Sequence, residues 1–175
     1  MPPLTLGRLK QLLRDFTQET GASIELILIG ALATEAYGVG SRSTGDVDAE
    51  VHGPLDLLRE FLEKAGVPAD LGANISGWSV IALPPGYQAR TRPYYDAPGV
   101  RVRLLHPRDY VIAKLRRGTE DDLADARRVV QHFRLTAEEI AQAAAAAVAA
   151  SPADTAIYLF RRLVDSFCET LGSDP

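Results

Sequence analysis

Two aspartates separated by one residue, Asp46-Val47-Asp48, are the side chains in this sequence best placed to do chemistry. On an extended strand alternate residues share a face, so the two carboxylates lie about 6.6 Å apart along the chain and can converge on hard cations. Mg²⁺ suits such ligands, taking protein carboxylates together with substrate phosphates. Upstream, Gly30-Ala31 follows a short apolar run. A glycine lets backbone approach a ligand closely, and the start of the helix expected after it directs N–H groups at a triphosphate. Between the glycine and the acids, Ser41, Ser43 and Thr44 offer hydroxyls and Arg42 a cation. The expectation is an NTP with Mg²⁺, with Asp46 and Asp48 as metal ligands and Gly30, Ala31, Arg42, Ser43 and Thr44 on the nucleotide.

The elements that must position these residues are legible in outline. Ile24 to Ile29 is β-branched and apolar enough for a buried strand, Ala31 to Tyr37 favours a helix, and Asp46 to Val51 alternates as a half-buried strand does. Before them, Thr5 can cap a helix whose apolar positions Leu6, Leu9, Leu12, Leu13 and Phe16 recur at helical spacing, with Gly21 as its stop. After them, Pro54 opens a helix that Gly66 ends, and further strands are expected at Trp78 to Leu83 and Val100 to Leu105. Pro107 then opens a helix to Arg117, Thr119 caps a second from Glu120 to about Phe133, and Thr136 with Glu139 forms a capping-box pattern. Ser151-Pro152 is read as the start of a last helix through Leu171. The fold class expected is α/β of the α+β type, a small mixed sheet flanked by helices with a helical C-terminal half. In domain terms, residues 1–135 form the sheet-bearing domain and residues 136–175 are helices packed on the same domain.

Composition bounds the function. The chain has 175 residues, 46% hydrophobic and 24% charged, within the range of one folded domain and unlike a disordered segment. A formal net charge of −4 gives no overall basic footprint, so DNA binding is not expected. No uncharged apolar stretch reaches the roughly 20 residues of a membrane span. Cys168 is the single cysteine and the N-terminus lacks a signal-peptide pattern, so a cytoplasmic location and no membrane partner are expected. His52, His106 and His132 have no zinc-ligand spacing. Arg90, Arg92, Arg101 and Arg103 make the middle locally basic, as an RNA or phosphate groove or as an exposed strand face. Trp78 is expected in the core.

The order strand, Gly30-Ala31, helix, turn, Asp46-Val47-Asp48 resembles the nucleotidyltransferase superfamily, whose signature is Gly-Gly or Gly-Ser followed by Asp-x-Asp. Arg42 and Thr44 precede the acids as in Arg-x-Thr-x-Asp-x-Asp. The longer spacing is similar to the abortive-infection type IV toxin (AbiEii-like) branch and its uncharacterised bacterial relatives, which also carry a later Lys and an acidic helix start. Here these are Lys114-Leu115 and Asp121-Asp122-Leu123-Ala124-Asp125. The resemblance implies a nucleotidyltransferase fold and a nucleotidyl group passed from an NTP to RNA or protein. It implies Asp46, Asp48, Lys114 and Asp122 as catalytic residues, with Asp125 an alternative to Asp122. A role as one component of a toxin–antitoxin pair, with a cognate toxin or antitoxin protein as partner, is implied too. Relatives place a third carboxylate on a neighbouring strand. Trp78 to Leu83 contains no acid, Glu50 lies one strand repeat further along than the pair, and Asp70 and Asp96 read as loop residues. An alternative reading is therefore a catalytically impaired module that binds nucleotide or a partner.

Overall fold

Thr5 begins the first helix as its sequence requires: its hydroxyl accepts the N–H of Arg8 at 3.2 Å, and Gly21, at φ 69°, closes α1 (Leu6–Thr20) in the left-handed conformation that glycine tolerates best. The structure is a computed structural model and describes residues 3–40 and 43–172. The described residues fall into two compact units, Met1–Ile75 with Thr91–Leu104, and Ser76–Arg90 with Leu105–Pro175.

The first unit holds a five-stranded mixed sheet. Its strands are β1 (Ile24–Leu28), β2 (Val47–His52), β3 (Ala69–Gly72), β4 (Arg92–Ala97) and β5 (Val100–Leu104), in the order β3-β2-β1-β5-β4. β1 runs antiparallel to β2 and parallel to β5, β2 is parallel to β3, and β4 closes the other edge antiparallel to β5. Leu26, Leu28, Ala49, Val51, Val102 and Leu104 are buried at alternating positions. α1 and α3 (Leu55–Lys64) contact the sheet and each other, with Phe16 and Phe61 meeting edge to face at 5.6 Å. α2 (Gly30–Ala36) fills the connection between β1 and β2.

Trp78 to Leu83 is not a strand. Ile75–Trp78 is a 3₁₀ turn, and the chain after it pairs with side chains instead of a ladder. Within the second unit, the N–H groups of Ile81, Ala82 and Leu83 donate to the hydroxyls of Ser79, Ser151 and Ser76, while Arg116 donates to the carbonyls of Ser76 and Ile81 at 3.2 and 3.1 Å. Hydroxyl-rich sequence gives its backbone this alternative to a sheet. Trp78 is 39% exposed and not a core residue. The strands that sequence periodicity overlooked are β3, only four residues long, and β4, whose Arg92-Pro93-Tyr94-Tyr95-Asp96 is a polar edge where proline is tolerated.

The second unit is helical: α4 (Pro107–Leu115), α5 (Glu120–Phe133), α6 (Ala137–Ala149) and α7 (Ala156–Leu171). Pro107 occupies the first helical position of α4, Thr119 caps α5, and Thr136 with Glu139 makes the full capping box of α6. α7 begins at Ala156, later than Ser151-Pro152 suggests, because Ser151 turns its hydroxyl back to the carbonyl of Ala147 and finishes the preceding helix. Contacts of α4 with α5, α6 and α7 make it the centre of this unit.

Candidate active site

β1 and β2 bring the glycine turn and Asp48 together. The N–H of Ile29 donates to the carbonyl of Asp48 at 3.0 Å, so the residue before Gly30 is tied to the second acid through backbone. Gly30 is buried, at φ 67°, a conformation costly to any residue with a Cβ. A Cβ placed there would run into the Asp48 carboxylate, 3.0 Å from Cγ and closer still to Oδ2. Glycine at 30 is therefore required twice, by its backbone angle and by the acid lying against it.

Asp48 is half-buried within β2, and Asp46 is exposed immediately before the strand begins. The Thr44 hydroxyl donates to Asp46 Oδ1 and accepts the Asp46 N–H at 3.4 Å. Thr44 is thus turned toward an acid, although its type suggested a phosphate donor. Ser43 is exposed beside it and Ala31 is half-buried in the first turn of α2. Arg42 lies outside the described residues, as does Ser41.

Asp70 is the acid whose position the sequence did not disclose. It is exposed on β3, in register with Asp48 across a parallel pair, so the two side chains leave one face of the sheet from strands about 4.8 Å apart. The available signal was the period-two alternation of Val67, Ala69 and Leu71 around Asp70 just after the Gly66 stop. Asp96 also lies on a strand, β4, where Arg101 faces it at 3.7 Å. Glu50 is fully buried and engaged at both oxygens, by the Ile75 N–H at 3.0 Å and by His52 at 2.7 Å, which makes it part of the fold's internal wiring.

The donor chemistry fits a divalent cation carried with phosphates. Asp48 supplies hard oxygens against the Gly30 turn, and Asp46 supplies another exposed carboxylate two residues before it. Among the described residues no three His, Cys, Asp or Glu side chains form a ready cage. Mg²⁺ needs none, since it habitually keeps water and substrate oxygens in its shell.

The second unit holds the other expected residues. Lys114 is 5% exposed and donates to Asp122 at 3.2 Å and Asp125 at 2.9 Å, both acids being buried. Its ammonium also lies 5.5 Å from the Tyr110 ring centre. Burial works against the charged form of Lys114, but Tyr110, Asp125 and Asp122 outweigh it and hold the pKa above the ordinary value of 10.5. Thr119 and Arg117 complete the surroundings of Asp122, at 2.7 and 3.4 Å from its Oδ2.

The central arginines do not form a groove of unengaged cations. Arg90 clamps buried Asp109 through two N–H groups at 3.0 and 3.1 Å. Arg103 donates to the hydroxyl and carbonyl of Thr91, and Arg101 faces Glu25 and Asp96. Burial lowers the pKa of Arg116 to about 10, consistent with its role as a backbone anchor.

No helix among the described residues is long and apolar enough to cross a membrane. Residues 5–158 match the family model described as "Nucleotidyltransferase of unknown function (DUF6036)". No curated protein matches the chain.

Proposed function

The chain belongs to this nucleotidyltransferase family, and from that premise we propose that it is a Mg²⁺-dependent enzyme moving a nucleotidyl group from an NTP to an RNA or protein acceptor. The observation that carries the reading is the Asp48 carboxylate packed against Gly30, with Asp46 two residues before it and Asp70 in register beside it. In this reading Asp46 and Asp48 hold the cation. Gly30 and Ala31 admit the phosphates, with Arg42 and Ser43 supplying a charge and a hydroxyl. Bound Mg²⁺ would neutralise charge on the phosphoryl oxygens. Asp70 takes the proton of the acceptor hydroxyl while that oxygen bonds to the α-phosphorus, the bond to the β-phosphate oxygen breaks, and pyrophosphate leaves. The resemblance alone gives Lys114 and Asp122 a catalytic part, and no step of this reading runs through them, since each engages the other inside the second unit. The proposed setting is the cytoplasm, as the toxin of a toxin–antitoxin pair akin to the AbiEii-like branch.

Incubation with α-labelled NTPs, Mg²⁺ and total RNA or cell extract tests this. The expected result is a labelled product that disappears with Asp46→Asn/Asp48→Asn and falls about 10²- to 10⁴-fold with Asp70→Asn, the usual contribution of a general base. No label in any product, from protein that binds Mg²⁺ and NTP, would favour the second reading, a nucleotide-binding module without transfer. That second reading draws on one observation: the described acids do not by themselves form a three-ligand cluster.

A further inference from the structure

We infer that Thr44 is a positioning residue for the cation site, holding Asp46 in the orientation that presents its outer oxygen, and this rests on the reading of Asp46 and Asp48 as metal ligands. Asp46 is exposed and precedes the strand, so neither burial nor the ladder of β2 fixes its side chain. Thr44 does so from both sides. Its hydroxyl donates to Oδ1 of Asp46 and accepts the Asp46 N–H, closing a small ring around one carboxylate oxygen and leaving Oδ2 outside that ring. Thr44 is itself anchored: its carbonyl accepts the N–H of Leu4 at 2.8 Å, in an isolated antiparallel bridge, and Leu4 is buried at 7% exposure. A β-branched residue has few χ1 states, so a hydroxyl on a pinned backbone is a stiff support.

The chain of contacts therefore runs from a buried leucine near the N-terminus, through one backbone hydrogen bond, to the hydroxyl that sets the first acid. Hydrogen bonds of this outer kind orient metal ligands, and their loss commonly weakens metal affinity about 10- to 100-fold. Thr44 is half-buried, and valine keeps its shape while deleting the hydroxyl.

The test titrates Mn²⁺ alone into the 175-residue chain and follows the free-ion signal by electron paramagnetic resonance, for the unaltered protein, Thr44→Val, Thr44→Ser and Asp46→Asn/Asp48→Asn. Thermal melting and far-ultraviolet circular dichroism of each accompany the titration. Expected are binding by the unaltered protein, none by the double variant, and an affinity for Thr44→Val about tenfold weaker with an unchanged melt. Thr44→Ser, which restores the hydroxyl, should bind as the unaltered protein does. Unchanged Mn²⁺ affinity in Thr44→Val overturns the positioning role while leaving the metal site intact. Equal loss in the Ser and Val variants, or loss that tracks a lowered melt, makes Thr44 a structural residue and overturns it also. Absence of Mn²⁺ binding by the unaltered protein overturns the metal-site reading along with this one.

Discussion

Asp122 and Asp125 lie almost wholly out of solvent and share Lys114 Nζ, with Arg117 3.4 Å from Asp122 and Arg128 3.5 Å from Asp125, whereas Asp46 and Asp70 stand exposed and Asp48 half-buried at the edge of a glycine turn. The same side chain serves opposite ends in the two units. A buried carboxylate needs a neutralising partner within the fold, and the helical unit supplies it from α4 to α5. Exposed carboxylates need no such partner, because water screens them. Asp48 and Asp70 leave one face of the sheet, Asp48 against the Gly30 turn, and the proposed function adds a cation there. The helical acids are neutralised within the fold, and the proposed function gives the sheet acids a cation from outside it.

Removing Lys114 breaks the first arrangement most severely. Lys114→Met removes the buried cation between the two acids and leaves each only an exposed arginine, and a loss of about 3–5 kcal/mol in urea unfolding is expected, the usual penalty for stripping one partner from a buried ion pair. The pH dependence follows from the raised pKa. The contribution of Lys114 is fully present below its unfolded value of 10.5 and is lost as pH rises through the higher folded value. The stability gap between the unaltered protein and Lys114→Met should therefore stay level from neutral pH to near 10.5 and narrow above it. A gap that closes between pH 6 and 9 would show that another group sets it.

Gly30→Ala acts on the second arrangement, with a smaller expected cost of about 1–3 kcal/mol from the left-handed backbone. Its Cβ also displaces the Asp48 carboxylate, so Mg²⁺-dependent nucleotide binding should vanish in protein that remains folded. Retained binding would mean that Asp48 does not act from the position seen here. Least costly to the fold is Asp46→Asn/Asp48→Asn, with stability expected within about 1 kcal/mol of the unaltered protein, because Asn keeps the shape of Asp at exposed position 46 and at half-buried position 48. Chemical unfolding checks this, and a loss of several kcal/mol would assign the acids to the fold.

Local signals carried the sequence reading where they were sufficient on their own. Thr5, Gly21, Thr119, and Thr136 with Glu139 each end a helix by bonds within about one turn, Pro107 starts one through its fixed φ, and each was readable without knowing the rest of the chain. Gly30 and the Asp46-Val47-Asp48 pattern were readable for the same reason. Strand pairing is a long-range property and was not: β3 owes its place to β2, twenty-odd residues away, and without that pairing Asp70 reads as a loop acid. Ser76 to Leu83 shows the converse, an apolar run diverted from the sheet by hydroxyls and by Arg116. The burial of Lys114 was likewise hidden, because a lysine on a helix reads as exposed until the acids of α5 are seen around it.

Calorimetric titration of ATP, GTP, CTP and UTP, each with and without Mg²⁺, into the unaltered protein and into Asp46→Asn/Asp48→Asn is the most direct test of the acid cluster as a ligand-completed site. Heat that requires Mg²⁺ with at least one nucleotide, and that disappears in the equally folded double variant, is the expected result. Binding that persists in the double variant, or no Mg²⁺-dependent heat with any of the four nucleotides, would contradict it.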